Sequence, residues 1–170
     1  MDVYSRRTLR PTLHLTLTSV LPCADSRTVV YRSVWNPPML KHNLRILLVE
    51  DHPFQLIALQ ILLNNHELYR LTPALNASEA LAALERSPQP YDLLLCDQRL
   101  PDMEGIDLIE LASHRKLIRH AVLLSGVDPC HLLDLERLAR ERGIPLLGCL
   151  NKPLNTLELF RLISSGISDL

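Results

Sequence analysis

Aromatic side chains are scarce in this chain: one Trp, two Phe and four Tyr amount to 4% of 170 residues. That speaks against a nucleic-acid stacking platform, which needs several exposed rings, and it leaves the core to Leu, Ile, Val and Ala. A surplus of one charge is missing too, the formal net charge being -1. The four cysteines, Cys23, Cys96, Cys130 and Cys149, form no C-x-x-C pair. Two of them sit inside apolar runs, where a thiol acts as a small core residue. Structural metal and disulfides are therefore not expected, and the reducing cytoplasm is the expected compartment. No stretch approaches the ~20 apolar residues of a membrane-spanning helix, so neither nucleic acid nor membrane is an expected partner.

What is present fits one globular unit, with 47% hydrophobic and 22% charged residues. The charge is unevenly placed. Residues 1–43 hold six basic and two acidic side chains, whereas residues 44–170 hold twelve basic and seventeen acidic. The first segment is also rich in Thr, Ser and Pro and ends in Asn36-Pro37-Pro38, punctuation that favours an extended linker. It reads as a basic, disordered N-terminal extension, with a short strand over the alternating Leu13, Leu15 and Leu17 as the other reading. Ser5-Arg6-Arg7 followed by Leu21-Pro22-Cys23 has the outline of a twin-arginine export signal. His14 and the interleaved Thr residues break its apolar stretch, and export is not expected. Translation from Met39 would make the extension a start-site artefact, which intact mass of the natively expressed protein decides.

From residue 44 onward strands alternate with helices. Strands are expected over 44–50, 69–75, 92–97, 120–125 and 145–150. Helices are expected over 53–67, from Asn76, from Gly105, over 128–142 and over 155–164. Asn76 with Glu79 three residues later is a capping-box-like start, and Gly143 suits a helix C-terminal cap. Leu132, Leu133, Leu135, Leu138 and Ala139 are assigned to one apolar side of the 128–142 helix. The strands are aliphatic without polar alternation, the pattern of strands covered on both faces. The fold class is α/β, a (βα)5 chain with a five-stranded parallel sheet and helices on both faces. The domain runs over 44–166, with a tail of 167–170.

Four polar segments end apolar runs: Glu50-Asp51, Asp97, Ser125 and Lys152. Ligand crevices of parallel sheets open at the carboxyl ends of the strands, so these residues converge on one acidic, metal-binding phosphoryl-transfer site. Taken singly, each has an ordinary reading: a helix cap for Asp97 or Ser125, a complement to the helix dipole for Glu50-Asp51, a solvated ammonium for Lys152. Four coincidences at four strand ends make the joint functional reading the stronger one. His52, beside the acidic pair, reads as a loop residue facing solvent.

The segments I-L-L-V-E-D-H-P, L-L-L-C-D-Q-R-L-P-D-M-E-G, A-V-L-L-S-G and N-K-P-L, in this order, resemble the receiver domain of bacterial two-component response regulators. The resemblance implies a flavodoxin-like sheet of order 2-1-3-4-5. It implies Asp97 as the phosphoacceptor, because it precedes the x-x-x-P-x-x-x-G loop ending at Gly105. Mg²⁺ would be held by Glu50, Asp51, Asp97 and the backbone carbonyl of Arg99. Lys152 would lie beside the phosphoryl oxygens, and Ser125 would be the hydroxyl that swings toward them. A carboxylate attacking phosphorus brings an anion onto a polyanion. At ~4 Å two unit charges repel by roughly 4 kcal/mol even at an effective dielectric near 20, which is what the cation offsets. The Lys152-Pro153 peptide is cis in this family.

The expected partners are a histidine kinase or phosphotransfer protein and a downstream protein. A homodimer through the fourth and fifth helical faces is common in such domains. Only about four residues follow the last helix, so no output domain is expected. The rival readings are a phosphorylation-independent adaptor and a small Mg²⁺-dependent phosphohydrolase, although the D-x-D signature of the latter is absent. The chain departs from the family pattern at Cys149, where many members carry an aromatic switch residue. Arg99 and Val127, two residues beyond Asp97 and Ser125, are expected to tune the lifetime of the phosphorylated state.

Overall fold

Successive residues of the three central strands point to opposite sides of one sheet, and both sides are apolar. Leu47, Val49, Leu94, Cys96, Ala121 and Leu123 face one core. Their neighbours Ile46, Leu48, Leu93, Leu95, Val122 and Leu124 face the other. A strand alternates its side chains with a period of two, so a sheet covered on both faces requires uninterrupted apolar runs. Each fully buried Leu or Ile side chain contributes about 2 kcal/mol.

The computed structural model describes residues 43–126 and 129–167, with only the backbone given for 129–131. The elements are β1 (Ile46–Val49), α1 (Pro53–Asn64), β2 (Leu71–Ala74), α2 (Ala77–Arg86), β3 (Tyr91–Asp97), α3 (Gly105–His114), β4 (Ile118–Ser125), α4 (Pro129–Glu141), β5 (Leu146–Asn151) and α5 (Thr156–Gly166). The sheet is parallel in the order β2-β1-β3-β4-β5. This is the expected α/β architecture. Helices α2, α3 and α4 cover one face, α1 and α5 the other. The N-terminal extension, its linker and strand, Cys23, Val127, Asp128 and the 168–170 tail lie outside the described residues.

Helix ends explain most boundary differences from the sequence reading. Helix α1 stops at Asn64 rather than Glu67 because Glu67 takes a left-handed backbone (φ 64). The N–H of Leu68 then returns to the Leu63 carbonyl at 3.1 Å, a closure that satisfies an end carbonyl. Helices α3 and α4 end the same way. Lys116 (φ 57) and Gly143 (φ 65) occupy the left-handed position, and Leu117 and Ile144 donate back to Ala112 and Ala139. Helix α2 starts as its sequence predicts: the Asn76 side chain accepts from the Glu79 N–H at 2.8 Å, and a Glu79 carboxylate oxygen accepts from the Leu75 N–H at 2.8 Å.

One assignment on α4 is corrected. Leu132, Leu135 and Ala139 are buried, but Leu133 is 67% exposed. Consecutive helical residues differ by 100°, so Leu133 turns away from the face that its neighbour buries. Strand β2 is shorter than expected, with Tyr69 exposed outside it. It carries Pro73, which an edge strand tolerates.

Candidate functional site

Parallel register brings the carboxyl ends of four strands to one level: Val49 pairs with Cys96, Asp97 with Leu124, and Ser125 with Asn151. Glu50 and Asp51 follow β1, Asp97 ends β3, Ser125 ends β4 and Lys152 follows β5. Asp51, Asp97, Arg99, Ser125 and Lys152 line one cleft of about 270 Å³, together with His52, Gln55 and Gly126. The structure thus brings together the residues picked from sequence, with Glu50 fully buried behind them.

Lys152 ties the floor of the cleft together. Its ammonium donates to Glu50 Oε2 at 2.6 Å, Asp97 Oδ2 at 2.7 Å and Gln55 Oε1 at 3.2 Å, which uses all three of its protons. Burial works against the charged ammonium, but the hydrogen bonds and charges from Asp97 and Glu50 outweigh it and hold its pKa above the ordinary lysine value. The Lys152 N–H also donates to the Ser125 carbonyl at 2.8 Å, and the Lys152-Pro153 peptide is cis. Gln55, in the first turn of α1, is not singled out by the sequence. Nothing in a helical Gln predicts a partner 97 residues away.

The loop from Asp97 to Gly105 is fastened at several points. Arg99 bridges to Glu104 across the loop. The Gln98 amide donates to Glu104 Oε2 at 2.8 Å, and the Gly105 N–H donates to the Gln98 carbonyl at 2.8 Å. Asp102 reaches the start of α2, where its carboxylate accepts from the Ala77 and Ser78 N–H groups at 2.9 Å each and from the Ser78 hydroxyl at 2.8 Å. The Ala77 N–H is the largest cause holding the Asp102 carboxyl below its ordinary value, with the Ser78 bonds adding to it against slight desolvation. Asp102 was not recognised from sequence. It caps a helix that begins 25 residues before it.

Lys152 binds two of the three carboxylates, Glu50 and Asp97, and Asp51 lines the same cleft with Arg99. One ligand atom each from Glu50, Asp51 and His52 lies within 4.8 Å of the other two, so His52 belongs to the convergent acidic group although its side chain is 65% exposed. Asp97 joins this group through Lys152, which grips one oxygen of Asp97 and one of Glu50. The oxygen donors and the uncancelled negative charge suit a hard divalent cation.

Among the described residues, two cysteine side chains, Cys96 and Cys149, resist ionisation. Burial, then the Asp97 and Glu50 carboxylates, push Cys96 far above its ordinary pKa. Burial and Glu136 push Cys149 up to about 12. Both are free cysteines, and thiols this hard to ionise are poor nucleophiles. Among the described residues no helix is long and apolar enough to cross a membrane.

A family model described as "Response regulator receiver domain" matches residues 46–163. "Two-component response regulator ARR2" of Arabidopsis thaliana is 38% identical over 68 residues, covering 40% of this chain and 10% of that protein. "Cyclic di-GMP phosphodiesterase RocR" of Pseudomonas aeruginosa is 28% identical over 123 residues, covering 72% of this chain and 31% of that protein. The chain thus spans a third or less of either curated relative. Among solved structures, a CheY-like receiver domain protein of Methanospirillum hungatei JF-1 superposes with a TM-score of 0.60 at 26% identity, over 74% of this chain and 94% of that one.

Proposed function

The chain belongs to the response regulator receiver domain family, and from that premise we propose that it accepts a phosphoryl group on Asp97, with Mg²⁺ bound in the adjoining crevice, and signals by altered binding to a protein partner. The observation that carries this reading is the ammonium of Lys152 held between Glu50 and Asp97 at the mouth of β3. A point charge there lies beside whatever becomes attached to the Asp97 carboxylate, and an ammonium is a suitable counter-charge for phosphoryl oxygens.

Receiver domains bind Mg²⁺ through acidic residues, and Asp51 and Asp97, which line one cleft after β1 and at the end of β3, offer the carboxylate oxygens that such an ion takes. Asp51, Asp97 and the Arg99 carbonyl would hold it, with Glu50 behind. The bound ion supplies positive charge that lowers the repulsion between the carboxylate and its phosphodonor. An Asp97 carboxylate oxygen attacks phosphorus, the bond from phosphorus to the donor's leaving atom breaks, and an acyl phosphate forms. Lys152 orients and neutralises the attached group. The Ser125 hydroxyl, at the end of β4, is the donor that turns toward it and transmits the change. The donors are a histidine kinase or phosphotransfer protein in the cytoplasm. Beyond this self-phosphorylation and slow loss of the phosphoryl group, no turnover of a separate substrate is part of the reading. Phosphorylation biases a pre-existing equilibrium only by the contacts that differ between its two states.

Incubation with Mg²⁺ and acetyl phosphate followed by intact mass tests the proposal. A gain of one phosphoryl group is expected, absent in Asp97→Asn and absent with chelator. Labelling that persists in Asp97→Asn would place the acceptor elsewhere.

A further inference from the structure

His52 places an imidazole nitrogen beside the carboxylate oxygens of Glu50 and Asp51. Its Nδ1 lies 2.8 Å from Asp51 Oδ1 and 3.7 Å from Glu50 Oε1. Two ligand atoms on adjacent corners of an octahedron, each ~2.1 Å from a shared ion, sit roughly 3 Å apart. The edge between Asp51 and His52 already has that spacing. His52 is the N-cap residue of α1, yet its side chain makes no capping bond, so the ring is not engaged in ending the helix. It lines the same cleft as Asp97 and Arg99.

We propose that His52 is a nitrogen ligand that shifts the preference of this crevice from Mg²⁺ toward first-row transition-metal dications of the cobalt, nickel and zinc class. The proposal rests on the reading of the crevice as a divalent-cation site and adds the identity of the ions it accepts. Mg²⁺ takes oxygen ligands and retains water, so it has little use for an imidazole. Borderline ions gain from one. One pocket therefore loads two kinds of ion: Mg²⁺ through oxygens alone, a transition metal through oxygens and Nδ1. The ring sits on the solvent side of the acidic group, where an arriving ion meets it.

The plain alternative is that the ring only hydrogen-bonds Asp51 and orients it. The two roles separate by metal. The full chain is titrated with Co²⁺, whose visible absorption reports its ligands, and the signal that excess Mg²⁺ displaces is taken as the shared site. Mg²⁺ affinity is measured by calorimetry. In His52→Gln the displaceable Co²⁺ affinity is expected to fall about tenfold with a changed spectrum, while Mg²⁺ affinity stays within about twofold. An unchanged Co²⁺ affinity and spectrum, or equal losses for both ions, would overturn the ligand role. Asp51→Asn separates failure of the premise: it should remove both ions from the site, and full retention of both would overturn the cation site itself. The substitution at His52 is on an exposed cap without a capping bond, so the fold is not at stake.

Discussion

Gly105 packs directly against Asp97: a Cβ on Gly105 would stand 2.1 Å from the Asp97 carbonyl oxygen and 3.0 Å from its carbonyl carbon. The obstacle is backbone and cannot rotate away. The glycine closing the Pro101 loop is therefore fixed by close approach. Gly105→Ala is expected to push β3 and the loop apart, at about 1–3 kcal/mol for overpacking, and to slow labelling by acetyl phosphate because the displaced segment carries Asp97 and Arg99. Gly126, with nothing within 4 Å of its added Cβ, provides the control. Thermal melts should show Gly105→Ala well below wild type and Gly126→Ala close to it, and equal melting points would contradict the steric account.

What the sequence made legible follows from locality. The aliphatic runs Leu93 to Cys96 and Ala121 to Leu124 announce a doubly covered sheet on their own, and the polar residues that end them mark the crevice without any knowledge of partners. Gly143 was legible as a helix end because its side chain is missing. Glu67 and Lys116 adopt the same left-handed backbone with ordinary charged side chains, so their helices ended where no residue type predicted it. Leu133 was placed on the wrong side because a Leu-rich helix supports more than one apolar stripe. Asp102 and Gln55 act through partners across the fold, which spacing does not reveal, whereas the solvent-facing side chain expected of His52 is the one the structure has.

The carboxylate of Asp102 at the N-terminus of α2 gives a stability difference that depends on pH. Its hydrogen bonds to Ala77 and Ser78 favour the ionised form and lower its pKa from 3.8. A group with a lowered folded-state pKa contributes stability above its unfolded value, and the contribution is lost as pH falls through the folded one. Asp102→Asn is thus expected to cost about 1 kcal/mol at neutral pH, the size of a helix cap, and the difference from wild type should shrink below about pH 4. Urea melts of both proteins at pH 7 and pH 3 check this; a gap of the same size at both would mean that the charge of Asp102 is irrelevant.

A cation bound in the crevice is expected to do electrostatic work that overlaps with that of Lys152, and the overlap is measurable. Glu50 is fully buried and holds Lys152 at 2.6 Å, so Lys152→Ala leaves a buried carboxylate unpaired beside Asp97. Removing one partner of a buried pair costs about 3–5 kcal/mol, and the open cleft, which leaves Lys152 22% exposed, brings the expected loss to the lower end of that range. A divalent cation can then supply the missing charge. Mg²⁺ should raise the melting temperature of Lys152→Ala by more than it raises that of wild type, because binding that is tighter in the variant stabilises it further at the same free concentration. Acetyl phosphate labelling of the variant should nonetheless stay slow, since the ion restores charge but not the ammonium beside the phosphoryl oxygens. Equal Mg²⁺ shifts in both proteins would show that ion and lysine do not share the field of Glu50 and Asp97, and the geometry around Lys152 would then have to be structural alone.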